Sequence, residues 1–95
     1  MDNTKTVVIY SNENISKYFL SPYANYTLNK NSLILSQWLF KKNLVIEVNI
    51  KKMIKFLEKL SKGLTEQELV ENMQEIFAEK SDAVIQKLMK NGIIE

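Results

Sequence analysis

The order of apolar and polar residues divides the chain into a strand-patterned first half and a helix-patterned second half. Thr6-Val7-Val8-Ile9-Tyr10 is β-branched and aromatic, so it fits a short strand. Ser11-Asn12-Glu13-Asn14 breaks it, Ile15 to Leu20 is ambiguous, and Ser21-Pro22 ends that stretch because the residue before proline avoids helical backbone. Three strand candidates follow. Tyr23–Leu28 places Tyr26 and Leu28 on one face. Leu33–Phe40 is almost continuously apolar, as in a central strand covered on both sides, although a short buried helix shares that pattern. Leu44–Val48 sets Leu44, Ile46 and Val48 against Val45 and Glu47. The polar turns Asn29-Lys30-Asn31-Ser32 and Lys41-Lys42-Asn43 separate them, with asparagine suited to the left-handed conformations of hairpins. Connections this short require an antiparallel meander.

From Asn49 onward the period changes. Ile50, Met53, Ile54, Leu57 and Leu60 recur every three or four residues, predicting a helix over 50–61 with Asn49 as its cap and Gly63 as a left-handed stop. Thr65-Glu66-Gln67-Glu68 has the form of a capping box. It opens a second helix over 65–78 with Leu69, Val70, Met73, Ile76 and Phe77 on one face. Ser81 or Asp82 caps a third over 82–91, carrying Val84, Ile85, Leu88 and Met89. Gly92 stops it, and Ile93-Ile94 fold back on the core or finish as a strand. The sum is an α+β domain: a three-stranded antiparallel sheet followed by three helices. The last two helices, with only a short connection between them, form a helix-turn-helix-like pair, and the sheet beside them makes the layout a winged one.

Composition narrows the function. Ninety-five residues make one domain, and no apolar run reaches the length of a membrane span. The N-terminus lacks the pattern of a secretory signal, and cysteine is absent, which together predict a cytoplasmic protein. Histidine is absent too, so the commonest general base and the usual zinc ligands are missing. The glycines, Gly63 and Gly92, stand too far apart for a phosphate cradle. No catalytic residue, metal, cofactor or membrane partner is therefore expected, and the chain reads as a non-catalytic binding module. Residues 1–62 carry ten lysines against four acids, and residues 63–95 three lysines against seven acids. Arginine, the commonest reader of guanine, is absent.

Leu20-Ser21-Pro22-Tyr23-Ala24-Asn25-Tyr26, the meander to Val48, Lys62-Gly63-Leu64-Thr65-x-x-Glu68-Leu69 and Leu88-x-x-x-Gly92-Ile93-Ile94 occur in that order. Together they resemble the PqqD-like domains, or RiPP recognition elements. The resemblance spans residues 20–95 and is an ordered pattern of elements with no catalytic string. Residues 1–19 lie outside it, as an N-terminal arm or extra strand. It implies a module that binds the leader segment of a ribosomally made precursor peptide. The module presents that peptide to a modifying enzyme such as a radical SAM maturase, a cyclodehydratase or a protease. The leader adds as a strand to the third strand of the sheet and lies against the third helix. Carried onto this chain, the peptide-binding residues are Leu44, Val45, Ile46, Glu47 and Val48, with Ile85, Leu88 and Met89 as groove wall and Lys87 and Lys90 as charge partners.

Each feature has a plainer reading. Ile85, Leu88 and Met89 fit a core stripe, Leu88 above all. Thr6–Tyr10 can cover the third strand and leave no free edge. Trp38 suits a binding hot spot, but burial in or beside the core is the favoured reading. Tyr18, Tyr23 and Tyr26 suit base stacking, but packing on the sheet is favoured. Lys41-Lys42 and Lys51-Lys52 read as solvated faces that can also steer an acidic peptide. The alternative function is a winged-helix DNA-binding protein. The third helix, with two lysines and one aspartate, and the acidic helix before it argue against that alternative.

Overall fold

The computed structural model describes residues Lys17–Glu95. Strands β1 (Lys17–Tyr18), β2 (Ala24–Asn29), β3 (Ser32–Gln37) and β4 (Lys42–Ile46) come first. Helix α1 (Ile50–Lys62), strand β5 (Leu64–Thr65), helix α2 (Glu66–Phe77), a 3-10 turn (Ala78–Lys80) and helix α3 (Ser81–Lys90) follow. β2, β3 and β4 form the antiparallel three-stranded sheet in that order, and β1 pairs with β5. The α+β class and the meander agree with the sequence pattern. The segment Thr6–Tyr10 lies outside the described residues.

The sheet has one apolar face. Its rows are Leu28–Leu33–Ile46, Tyr26–Leu35–Leu44 and Ala24–Gln37–Lys42. Leu33, Leu35 and Gln37 are buried against the helices. The opposite face is mostly polar around the Ile34–Val45 pair, with the Ser36 hydroxyl donating to Asn43 Oδ1 at 2.8 Å. β3 is thus central but covered on one side only, which corrects the expectation from its apolar run. It also stops at Gln37 rather than Phe40. The buried Gln37 carboxamide turns back, and its Oε1 accepts from the backbone N–H of Leu39 (2.8 Å) and Phe40 (3.2 Å). Those bonds close the turn that leads into β4. In both hairpin turns the left-handed residue is a lysine, Lys30 (φ 58) and Lys41 (φ 56), not an asparagine.

Helix α1 buries Met53, Phe56, Leu57 and Leu60. Phe56 widens the expected stripe, and Ile50 and Ile54 sit at its margin. Asn49 stands at the expected cap position, but it caps nothing. It adopts a left-handed conformation, and its Nδ2 donates to Ile76 O at 2.7 Å, tying the start of α1 to the end of α2. Gly63 has φ 102 and ψ 130, a positive φ outside the left-handed helical region. Phe19 lies so close that a Cβ on Gly63 would sit 2.8 Å from its ring.

Helix α2 opens with the expected capping box. The Thr65 hydroxyl accepts from Glu68 N at 3.2 Å, and the Glu68 carboxylate accepts from Thr65 N at 2.9 Å. The backbone bond from Thr65 is the main reason the Glu68 carboxyl titrates below its ordinary value of 4.5, with the Thr65 hydroxyl and Lys17 acting in the same direction. A lowered folded-state pKa means this contribution is present above the ordinary glutamate value and is lost as pH falls through the folded value. Thr65→Ala is expected to lower stability by about 1 kcal/mol at neutral pH. Because alanine keeps the backbone N–H that chiefly lowers the Glu68 value, the deficit should shrink only slightly in acid below pH 4.5, as urea unfolding at several pH values can measure.

Neither Ser81 nor Asp82 caps α3. Ser81 is the buried first residue of the helix, and no side chain caps the start. The 3-10 turn runs straight in, Ser81 N–H donating to Ala78 O, so the first amides find partners without a side-chain cap. After Gly92 (φ 75) the chain returns to the core, with Ile93 and Ile94 buried. Ile93 N–H donates to Leu88 O, Ser21 N–H donates to Ile93 O, and Leu20 bridges Ile94. Phe19 and Glu95 exchange both backbone hydrogen bonds at 2.9 Å. The described fold therefore includes Lys17–Phe19, inside the stretch expected to be an N-terminal arm or extra strand.

Candidate functional site

A groove of about 260 Å³ runs between β4 and α3. Leu44, Val45, Ile46, Glu47 and Val48 form one side, and Val84, Lys87 and Leu88 form the other, with Phe77 at the end of α2. Leu44 and Ile46 are half-buried on the inner face of the sheet, and Leu88 is buried beneath them. Val45 is 60% exposed and Val48 58% exposed. Ala78, at φ 52 and ψ −124, turns the chain sharply after Phe77, which ends α2 beside the strand.

The structure thus brings together seven of the ten residues expected from sequence: Leu44, Val45, Ile46, Glu47, Val48, Lys87 and Leu88. It does not bring Lys90 with them, nor Ile85 and Met89. Ile85 is buried in the core, and both residues line a separate depression with Tyr18, Glu66, Leu69, Val70, Asp82 and Gln86. The reason is the helical period: Val84 and Leu88 are one turn apart and share a stripe, while Ile85 and Met89 are rotated about 100° away, toward α2. Phe77 and Val84 were not expected in the groove. The Val84–Leu88 spacing was the available signal for one of them; Phe77 reads only as part of the α2 stripe.

The orientation of the β4 backbone follows from one hydrogen bond. Trp38 N–H donates to Tyr23 O at 3.2 Å, one step beyond the Ala24–Gln37 pair. Bonded and non-bonded pairs alternate along an antiparallel ladder. The backbone groups of Ser36 and Ile34 therefore face β2, and those of Gln37, Leu35 and Leu33 face β4. Their partners Lys42, Leu44 and Ile46 use their N–H and C=O groups inside the sheet. Asn43 and Val45 point theirs outward. Among the described residues β4 pairs only with β3, so this outward row is an unpaired edge.

The groove has few charges. Glu47 accepts from the Ser32 hydroxyl at 3.5 Å on the outer face, and Lys87 is exposed at the α3 rim. Its apolar walls and open backbone offer strand pairing and side-chain burial. Among the described residues no group of three carboxylates is placed to hold a metal ion. No described helix is long and apolar enough to cross a membrane.

Trp38 corrects a second expectation. It is 65% exposed, not buried. Tyr26 and Tyr18 are half-buried and pack on the core, whereas Tyr23 is exposed.

Comparison with protein-family models, curated proteins and solved structures finds no match.

Proposed function

We propose that the chain is a non-catalytic module that captures an extended peptide by strand addition to β4. The observation that carries this reading is the coincidence of a strand edge left unpaired among the described residues with an apolar groove along the same strand. Backbone groups of Asn43 and Val45 supply hydrogen bonds, and alternate side chains of the added strand enter the groove over Leu44, Ile46, Val84 and Leu88. The resemblance to RiPP recognition elements supports a leader peptide as the occupant and a peptide-modifying enzyme as the recipient. The sheet flanking the α2–α3 pair supports a winged helix-turn-helix relationship. A DNA-binding role has less support. Helix α2 carries Glu66, Glu68, Glu71 and Glu75, arginine is absent, and α3 balances Asp82 against Lys87 and Lys90.

The test is an amide chemical-shift titration of the isotope-labelled chain. The probe is a synthetic peptide spanning the N-terminal part of a precursor encoded beside this chain's gene. Shifts should cluster on residues 43–48 and 84–88, with the Val45 amide becoming protected from exchange. Shifts confined to the Lys51–Lys59 face, with residues 43–48 silent, would overturn the proposal.

A further inference from the structure

The turn between β3 and β4 carries a second surface, distinct from the groove. Trp38 (65% exposed), Leu39 (61%) and Phe40 (50%) stand in succession at the end of the sheet, with exposed Tyr23 beside Trp38. Large exposed apolar side chains grouped in this way mark interaction surfaces. Lys41 and Lys42 follow directly, and residues 21–46 contain three lysines and no acid.

The tip is held in place from below. Gln37, only 2% exposed, accepts from Leu39 N–H and Phe40 N–H, and its Nε2 donates to Gly92 O at 3.0 Å. The Phe40 ring lies over Gly92, so closely that a Cβ there would sit 2.6 Å from it. Trp38 and Leu39 are therefore presented on a fixed backbone.

From this tip we infer that the domain docks on the surface of an anionic lipid bilayer. Tryptophan, with one apolar body and one polar N–H, suits the headgroup level, and leucine reaches the acyl boundary beneath it. Lysines at the same level are drawn to anionic headgroups. Charge complementarity favours this occupant over a protein. Protein interface cores are depleted in lysine, whereas here two lysines adjoin the apolar residues. The acidic stretch Glu66–Glu79 belongs to a different element, α2 and its following turn. The contact is interfacial, since the tip offers three consecutive apolar residues.

Trp38 is the single tryptophan of the chain, so its fluorescence reports on the tip alone. The experiment adds the full chain to phosphatidylcholine vesicles and to vesicles of equal parts phosphatidylcholine and phosphatidylglycerol. Trp38 emission should move to shorter wavelength, and the chain should co-sediment, with the anionic vesicles only. Each lysine near such a surface contributes about fivefold, so Lys41→Gln with Lys42→Gln should weaken partition roughly twenty- to thirtyfold. Leu39→Asp should abolish the emission shift while circular dichroism stays unchanged. Equal partition on both vesicle types, or anionic binding that ignores these tip substitutions, would overturn the inference. So would an emission shift that follows protein concentration without vesicles, because it would assign the tip to a second copy of the chain.

Discussion

Val45→Pro is expected to lower affinity for a strand-adding peptide about tenfold or more, some 1.4 kcal/mol, while the domain stays folded. The ladder order places the Val45 N–H on the open side of β4, where the sheet does not use it. Proline removes that donor and is tolerated on an edge strand when the missing N–H faces outward. The neighbouring position supplies the control. Leu44 pairs with Leu35 through groups that point into the sheet, so Leu44→Pro should break the β3–β4 ladder and unfold the hairpin. Peptide titration by calorimetry, with circular dichroism of each variant, separates the two. If both substitutions unfold the chain equally, the edge is oriented otherwise than the ladder implies. If Val45→Pro folds and binds as tightly as the parent, the peptide does not pair with β4.

Gln37→Leu is expected to lower stability by about 2–4 kcal/mol. One buried carboxamide joins three segments: it accepts from Leu39 and Phe40, and it donates to Gly92 O and, at 3.5 Å, to the Ser21 hydroxyl. Leucine fills similar space but satisfies none of these groups, and the Gly92 carbonyl is left without its partner. Urea unfolding should show a lower midpoint with an unchanged slope, since the surface exposed on unfolding is the same. A loss below about 0.5 kcal/mol would mean that water replaces the carboxamide at each contact.

The same residue shows where sequence pattern stops being informative. Leu33, Leu35 and Gln37 alternate on the buried face, but Gln37 is polar and Ile34 is apolar on the outer face. Trp38, Leu39 and Phe40 then extend the apolar run past the end of the strand. Alternation was masked at both points, so the run read as a strand buried on two sides. The meander was legible because its turns are too short for any crossover. The α2 cap was legible because Thr65 and Glu68 act within one turn. The role of Asn49 is not legible for the opposite reason: its partner, Ile76 O, is distant in sequence. The groove was legible on the β4 side, where a strand has only two faces. On α3 four apolar residues, 84, 85, 88 and 89, span a wide arc, and periodicity alone cannot divide it. The division comes from where α2 packs, which sends Ile85 inward and leaves Val84 toward β4.

The paired backbone bonds between Phe19 and Glu95 also bear on how the unit can be carried. They hold Phe19 and Glu95 one strand spacing apart, about 4.8 Å. A polypeptide that leaves another protein's surface, runs through this fold and returns thus comes back almost where it departed. Ordering such an insertion leaves the host's own turn nearly as short as before, so the added loop-closure entropy is small.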